Sequence, residues 1–251
     1  MFRNQYDTDV TTWSPAGRLH QVEYAMEAVK QGSCTVGLRS DEVVVLGTVK
    51  RSPGDLASYQ KKMFKVDTNL GVAISGLTSD GRYLCKYMRN EAINQRYVFE
   101  TPMNVGRLVQ QIADKAQVAT QRSSKRPFGV GMLVAGYDQT GPHLYNTCPS
   151  GNAWEYKAMA IGARSQASKT YLEKTFETYP GASQDELIRH CLLALRESLA
   201  EGELTVDNAA VAVVGKGVDF TFIEGEDIRA HLEAAFADDE GNGAATAAPM
   251  E

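Results

Sequence analysis

None of the apolar runs in the 251 residues is long enough to cross a membrane; Val43-Val44-Val45-Leu46 and Met132-Leu133-Val134-Ala135 are only strand-length. The opening Met1-Phe2-Arg3-Asn4-Gln5-Tyr6-Asp7 carries no apolar core of the signal-peptide kind. Basic charge is not in excess. There are 26 Lys and Arg against 31 Asp and Glu, a net of −5, which argues against a nucleic-acid binder working by bulk charge. Paired cysteines are missing as well. Cys34, Cys85, Cys148 and Cys191 lie far apart with no C-x-x-C, so reduced thiols in a cytosolic or nuclear protein are expected. His20, His143, His190 and His231 form no H-E-x-x-H, and His190-Cys191 sits inside a helical pattern, so neither a metal site nor a cofactor is expected. The G-x-S-x-G elbow and the glycine spacings of phosphate-binding loops are absent too.

The charge that is there is unevenly placed. Residues 237–251 hold Asp238, Asp239, Glu240 and Glu251 with no base, which leaves −1 on residues 1–236. Gly, Ala, Thr and Pro fill the rest of that stretch, so a disordered acidic tail on a nearly neutral body is expected.

Hydrophobic periodicity organises the body. After residues 1–17, which lack a period and contain the turn signal Ser14-Pro15-Ala16-Gly17, Leu19, Val22, Met26 and Val29 mark an amphipathic helix that Gly32 stops. Strands are expected at Thr35–Leu38, Val43–Val49, Phe64–Val66 and Gly71–Ser75. A helix then starts near Thr78-Ser79-Asp80, with Tyr83, Leu84, Tyr87 and Met88 as core. A second takes Thr101 as N-cap and Pro102 at its first position. Three strands follow, at Val130–Tyr137, Leu144–Asn146 and Trp154–Lys157. A helix over Gln166–Thr175 precedes one opened by the capping box Ser183-Gln184-Asp185-Glu186. Strands Val211–Val214 and Phe220–Ile223 turn at Gly215-Lys216-Gly217, and Asp227–Phe236 closes as a helix. Strands in runs and helices in pairs give one α+β domain of antiparallel sheets covered by helical layers.

Chemistry is sparse in this pattern. Gly32-Ser33-Cys34-Thr35 places three nucleophile types at the start of a strand, yet a helix stop running into a strand explains it more simply. Arg122-Ser123-Ser124-Lys125-Arg126-Pro127 is basic but has no aromatic stacking platform, so a solvated loop or a salt-bridging contact between subunits is expected rather than RNA.

Trp13-Ser14-Pro15-Ala16-Gly17-Arg18-Leu19-His20-Gln21-Val22-Glu23-Tyr24-Ala25, with Tyr6-Asp7 upstream, closely resembles the N-terminal signature of 20S proteasome alpha subunits. The likeness continues at Gly76-Leu77-Thr78-Ser79-Asp80-Gly81-Arg82, Arg126-Pro127-Phe128-Gly129-Val130-Gly131 and Ile161-Gly162-Ala163-Arg164-Ser165-Gln166.

The resemblance implies an Ntn-hydrolase-type four-layer αββα sandwich, with two antiparallel sheets and an extra N-terminal helix. Residues 1–236 would be the single domain, with 1–17 a gating arm, 18–31 the extra helix, and 237–251 the tail. Ser33 takes the place of the catalytic threonine, but behind 32 residues its nitrogen is an amide with no basic lone pair; the acidic partner falls near Val49, and Lys62 near the catalytic lysine. No catalytic residue and no peptidase activity is expected. Two other readings compete: an amidohydrolase using Ser33 once residues 1–32 are removed, and a scaffold of homomeric rings. Tyr6, Asp7, Pro15 and Tyr24 carry over as gate residues, and Lys62, Gly76 and Leu77 as a pocket for the C-terminal tails of activators. The implied partners are other alpha subunits laterally, beta subunits axially, regulatory-particle ATPase tails or other activators, and unfolded protein substrates in transit, with no nucleic acid and no membrane. Cytoplasm and nucleus are the expected locations.

Overall fold

The computed structural model of the chain describes residues 5–52, 54, 56–200 and 202–243, the last six of these by backbone alone. A first helix, α1 (His20–Gln31), leads into strands β1 (Thr35–Arg39), β2 (Val43–Val49), β3 (Met63–Asp67) and β4 (Leu70–Gly76). Helices α2 (Thr78–Phe99) and α3 (Val105–Thr120) follow, then β5 (Val130–Asp138), β6 (Gly141–Thr147), β7 (Ala153–Glu155) and β8 (Ala158–Ile161). The chain continues through α4 (Ser165–Thr175), α5 (Gln184–Glu197), β9 (Ala209–Gly215), β10 (Val218–Glu224) and α6 (Arg229–Gly243).

The strands form two five-stranded sheets, β10-β9-β2-β1-β8 and β3-β4-β5-β6-β7, antiparallel at every pairing. Alternation along the central strands creates the layers, because successive side chains point to opposite faces. In β9, Ala209, Val211 and Val213 face a cluster with Leu187, Ile188, Cys191 and Leu195 of α5. The intervening Ala210, Ala212 and Val214 face the second sheet, where they meet Ala73, Leu133 and Ala135. On that sheet's outer side Leu70, Val72, Ile74, Met132 and Val134 meet Leu84 and Met88 of α2 and Leu108 and Ile112 of α3. Three apolar interfaces separate four layers, the αββα sandwich expected from the sequence. Ala73, Ala135, Ala210 and Ala212 lie in the middle interface among larger residues such as Leu46, Leu133 and Phe220, so that the two sheets interdigitate.

Several boundaries differ from expectation for physical reasons. The helix expected from Arg18 begins at His20, because Ser14 and Arg18 close a turn on each other: Arg18 N donates to Ser14 Oγ at 3.0 Å and Ser14 N to Arg18 O at 2.9 Å. The helix expected from Thr101-Pro102 begins at Val105. Asn104 is its cap, accepting from Arg107 N at 2.9 Å, while Val105 N donates to Asp138 Oδ2 at 3.0 Å. The single strand expected at Trp154–Lys157 is two strands in different sheets. Tyr156 N still bonds Leu144 O in one sheet at 2.8 Å, and Lys157 O already accepts from Arg39 N in the other at 2.9 Å. A run of four strands therefore stands where three were expected.

Tyr83, expected in the core, is 55% exposed; its ring stacks on Phe128 at 5.9 Å. The capping box at Ser183 and Glu186 forms as expected. Helix α6 runs over the first residues of the expected tail to Gly243, and residues 244–251 lie outside the described residues.

Candidate functional site

Ser33 follows directly on the end of α1, and four separate sequence segments converge on it. Gly32 N donates to Val29 O as the helix stops, and Gly32 O accepts from Ala163 N at 2.7 Å. Ser75, at the end of β4, gives its hydroxyl to Val29 O at 3.0 Å and Ser33 O at 3.2 Å. Two glycines make the approach possible. Gly76 has φ +109, and a Cβ there would collide with Gly129 O; Gly162 has φ +100, and a Cβ would sit 2.6 Å from Ser33 O. These glycines explain three of the motifs. Gly76-Leu77, Gly129 and Gly162-Ala163 are the pieces of backbone against which α1 ends.

The GLTSDGR and RPFGVG segments are bound to each other as well. Asp80 takes both Arg126 terminal nitrogens, at 2.6 and 2.8 Å, and Gly129 N at 2.9 Å, while Leu77 N donates to Gly129 O at 2.8 Å. The fork of hydrogen bonds from Arg126, backed by Gly129 N–H, holds the Asp80 carboxyl below its usual range. Part of the basic cluster read as a solvated or intersubunit loop thus forms an ion pair within the chain.

At the centre, Lys62 Nζ donates to Ser33 Oγ at 2.6 Å and to Ser33 O at 2.7 Å, and Ser33 Oγ donates to Val49 O at 2.5 Å. Ser33 is 5% exposed and Lys62 6%. Burial, with a smaller push from Arg51, lowers the Lys62 ammonium to about 7; the neighbouring Cys34 opposes the shift. Among the described residues no carboxylate pairs with Lys62. The space beside it, lined by Thr48, Lys50, Lys61, Met63, Ala210, Phe222 and Glu224, amounts to 20 Å³.

Nucleophilic use of Ser33 would need a base and a free amine. Its nitrogen is instead the amide of the Gly32–Ser33 bond, and Val49 supplies a carbonyl where an acid would be needed. The neighbouring nucleophile types fare no better. Cys34 is 3% exposed with its thiol pushed up by burial, and Thr35 gives its hydroxyl to Ile74 O at 3.2 Å. The corner holds a chain together rather than opening one.

The second set of expected site residues lies toward the N-terminal end of α1. Residues 6–19 follow bends and turns, with Gly17 at φ +72 closing the Ser14–Gly17 turn. Tyr24, on α1, donates its hydroxyl to Asp7 Oδ2 at 2.9 Å, and Gln21, one turn earlier, gives its amide to Asp7 O. Asp7 and Tyr24 are thus brought together within one chain. Tyr6 is half-buried and Pro15 exposed. Of the pocket residues, Gly76 and Leu77 border the Ser33 corner, with Leu77 46% exposed, whereas Lys62 points inward beneath it. Sequence reading missed Gln21, Ser75 and Ala163. The Gly162-Ala163 pair was visible as part of a motif, but its bond to Gly32 needs the fold.

A further cavity of 390 Å³ opens beside α1, lined by Met26, Val29, Ile161, Arg164 and Lys169 among others.

Comparison with known proteins agrees with this arrangement. The family described as Proteasome subunit matches residues 29–214, and the N-terminal signature of its A-type members matches residues 6–28. The chain is 55% identical to Proteasome subunit alpha type-1 of Dictyostelium discoideum over 234 residues, covering 92% of this chain and 94% of that protein. It is 49% identical to the Probable proteasome subunit alpha type-6 of Schizosaccharomyces pombe, covering 93% and 86%. To Proteasome subunit alpha type-1 of Caenorhabditis elegans the identity is 45%, over 99% and 96%.

Proposed function

We propose, from the premise that this chain belongs to the proteasome subunit family as a non-catalytic alpha-type member of the 20S particle, that its work is to guard the entrance and receive activators. Residues 1–17, of which 5–17 are described, are the arm of a gate on the pore through which unfolded substrates pass. Tyr6, Asp7, Pro15 and Tyr24 fix the position of that arm. The observation that carries this reading is the Asp7–Tyr24 bond of 2.9 Å, reinforced by Gln21, because it ties an otherwise irregular segment to a rigid helix.

Lys62, Gly76 and Leu77 form this chain's part of a pocket for the carboxylate-bearing tails of regulatory-particle ATPases or other activators. An ammonium in a partly desolvated site favours a terminal carboxylate by roughly 1.5–3 kcal/mol. Lateral neighbours are other alpha subunits and axial neighbours beta subunits. The resulting particle serves ubiquitin-dependent and ubiquitin-independent degradation in cytoplasm and nucleus.

The gate reading is tested in the assembled particle with Tyr24→Phe, following hydrolysis of a small peptide with and without activator. Activator-stimulated hydrolysis is expected to fall about two- to tenfold, the effect of losing one part-exposed hydrogen bond of roughly 0.5–1.5 kcal/mol. Unchanged stimulation would remove Tyr24 from the gate. Fractionation with an antibody to the chain tests the two locations; absence from either compartment corrects that part.

A further inference from the structure

We infer that Ser33 is the positioning residue of the activator-tail pocket: it holds Lys62 inward, and a C-terminal carboxylate docks only as Lys62 exchanges Ser33 for it. The inference rests on the reading of Lys62 as the pocket's cation, and it adds a competitor that the chain itself supplies. The Lys62 ammonium donates twice to one residue, to Ser33 Oγ at 2.6 Å and to Ser33 O at 2.7 Å, with the side chain 6% exposed.

Burial is the second observation. Ser33 is 5% exposed and Lys62 6%, so the ammonium and the serine that holds it present almost no surface to an incoming carboxylate. A tail therefore cannot reach Lys62 as it stands; the lysine has to turn toward the tail. Ser33 is itself fixed, since its hydroxyl is committed to Val49 O at 2.5 Å and its carbonyl also receives Ser75. Of the contacts that hold the ammonium, the Ser33 hydroxyl is the one a substitution can remove without touching backbone. The serine that occupies the nucleophile's place thus has a task with no covalent step. It sets how strongly the pocket's lysine resists leaving its buried position.

The test uses the assembled particle and a short synthetic peptide with the C-terminal sequence of an activator ATPase, carrying a photo-crosslinker next to its terminal residue. Mass spectrometry counts adducts on this chain. Ser33→Ala is expected to raise the adduct yield about tenfold at limiting peptide, the size of one lost charge-assisted hydrogen bond. Ser33→Thr, which keeps the hydroxyl, is expected to restore the wild-type yield. The same peptide ended as an amide is expected to show no rise in either. Should Ser33→Ala fail to enter particles, Ser33→Cys takes its place, a poorer acceptor of nearly the same size.

A Ser33→Ala yield equal to or below wild type, with Lys62→Ala abolishing adducts, overturns the positioning role and leaves the pocket standing. A Lys62→Ala yield equal to wild type overturns the pocket assignment and this inference together.

Discussion

The corner at Ser33 and the arm on α1 lie on the same helix and are built in opposite ways. At the corner, backbone from four segments meets with little solvent, and single groups serve several partners: Ser75 Oγ bonds two carbonyls, and Ser33 O accepts from two donors. On the arm, Asp7 is tied to the helix by Tyr24 and Gln21 across a surface only part-buried. A group with many buried partners is costly to disturb, whereas one with a few solvent-facing partners can be released and retaken. In the gate proposed above, the difference suits a fixed helix that carries a releasable segment.

The contrast can be broken at the corner first. Gly76→Val places a β-branched side chain at φ +109 against Gly129 O; a loss of about 4 kcal/mol or more, read as failure to refold or as a collapse of the denaturant midpoint, is expected. Next comes Lys62. Its folded-state value of about 7 lies below the roughly 10.4 of an unfolded lysine. Between those pH values the unfolded chain binds a proton that the folded one does not, so this group makes stability rise with pH over that window. The charged and titratable neighbours that act on Lys62 are Cys34, whose thiol burial pushes up, and the Arg51 guanidinium. Lys62→Met removes the slope: it is expected to gain up to a few kcal/mol on wild type at pH 7, with the gap closing by pH 10 in thermal melts.

Asp80→Ala cuts the link between the two motif segments and is expected to cost about 1–3 kcal/mol by urea unfolding. Because Arg126 and Gly129 hold the Asp80 carboxyl low, the wild-type advantage is present above the ordinary carboxylate range and is lost as pH falls through the depressed value. The smallest effect belongs to the arm. Tyr24→Phe is expected to change global stability by no more than about 0.5–1.5 kcal/mol, while amide exchange in residues 5–12 speeds up. A global loss as large as that of Asp80→Ala would erase the distinction between the two regions.

What the sequence made legible follows the same division. Strands buried on both faces, such as Val43–Val49 and Val130–Tyr137, read directly as apolar runs, and the Ser183–Glu186 box announced α5 by local chemistry. The strand break at Tyr156-Lys157 was illegible because both neighbours continue extended; only the partner changes, from Leu144 to Arg39. Thr101-Pro102 misled for the converse reason. A good local start signal lost to Asn104, whose position is fixed by Asp138 more than thirty residues away. At the site, Ser33, Val49 and Lys62 were placed together through the family resemblance, and the structure brings them within hydrogen-bond reach. Composition and periodicity alone would have left Lys62 as a solvated neighbour of Lys61. Its burial depends on Ser33, which is 29 residues away along the chain.

The unbroken Gly32–Ser33 bond also has a consequence in time. A leader that must be cut away makes a protein wait for an event after folding, and its final geometry depends on whether that event occurs. Here α1 is itself one wall of the corner, its last carbonyls bonded to Ser75 and Ala163. The corner is finished when the chain has folded, with no later step to schedule. Asp7 is tied to that same helix through Tyr24 and Gln21, so the segment before α1 is placed by the folding that finishes the corner.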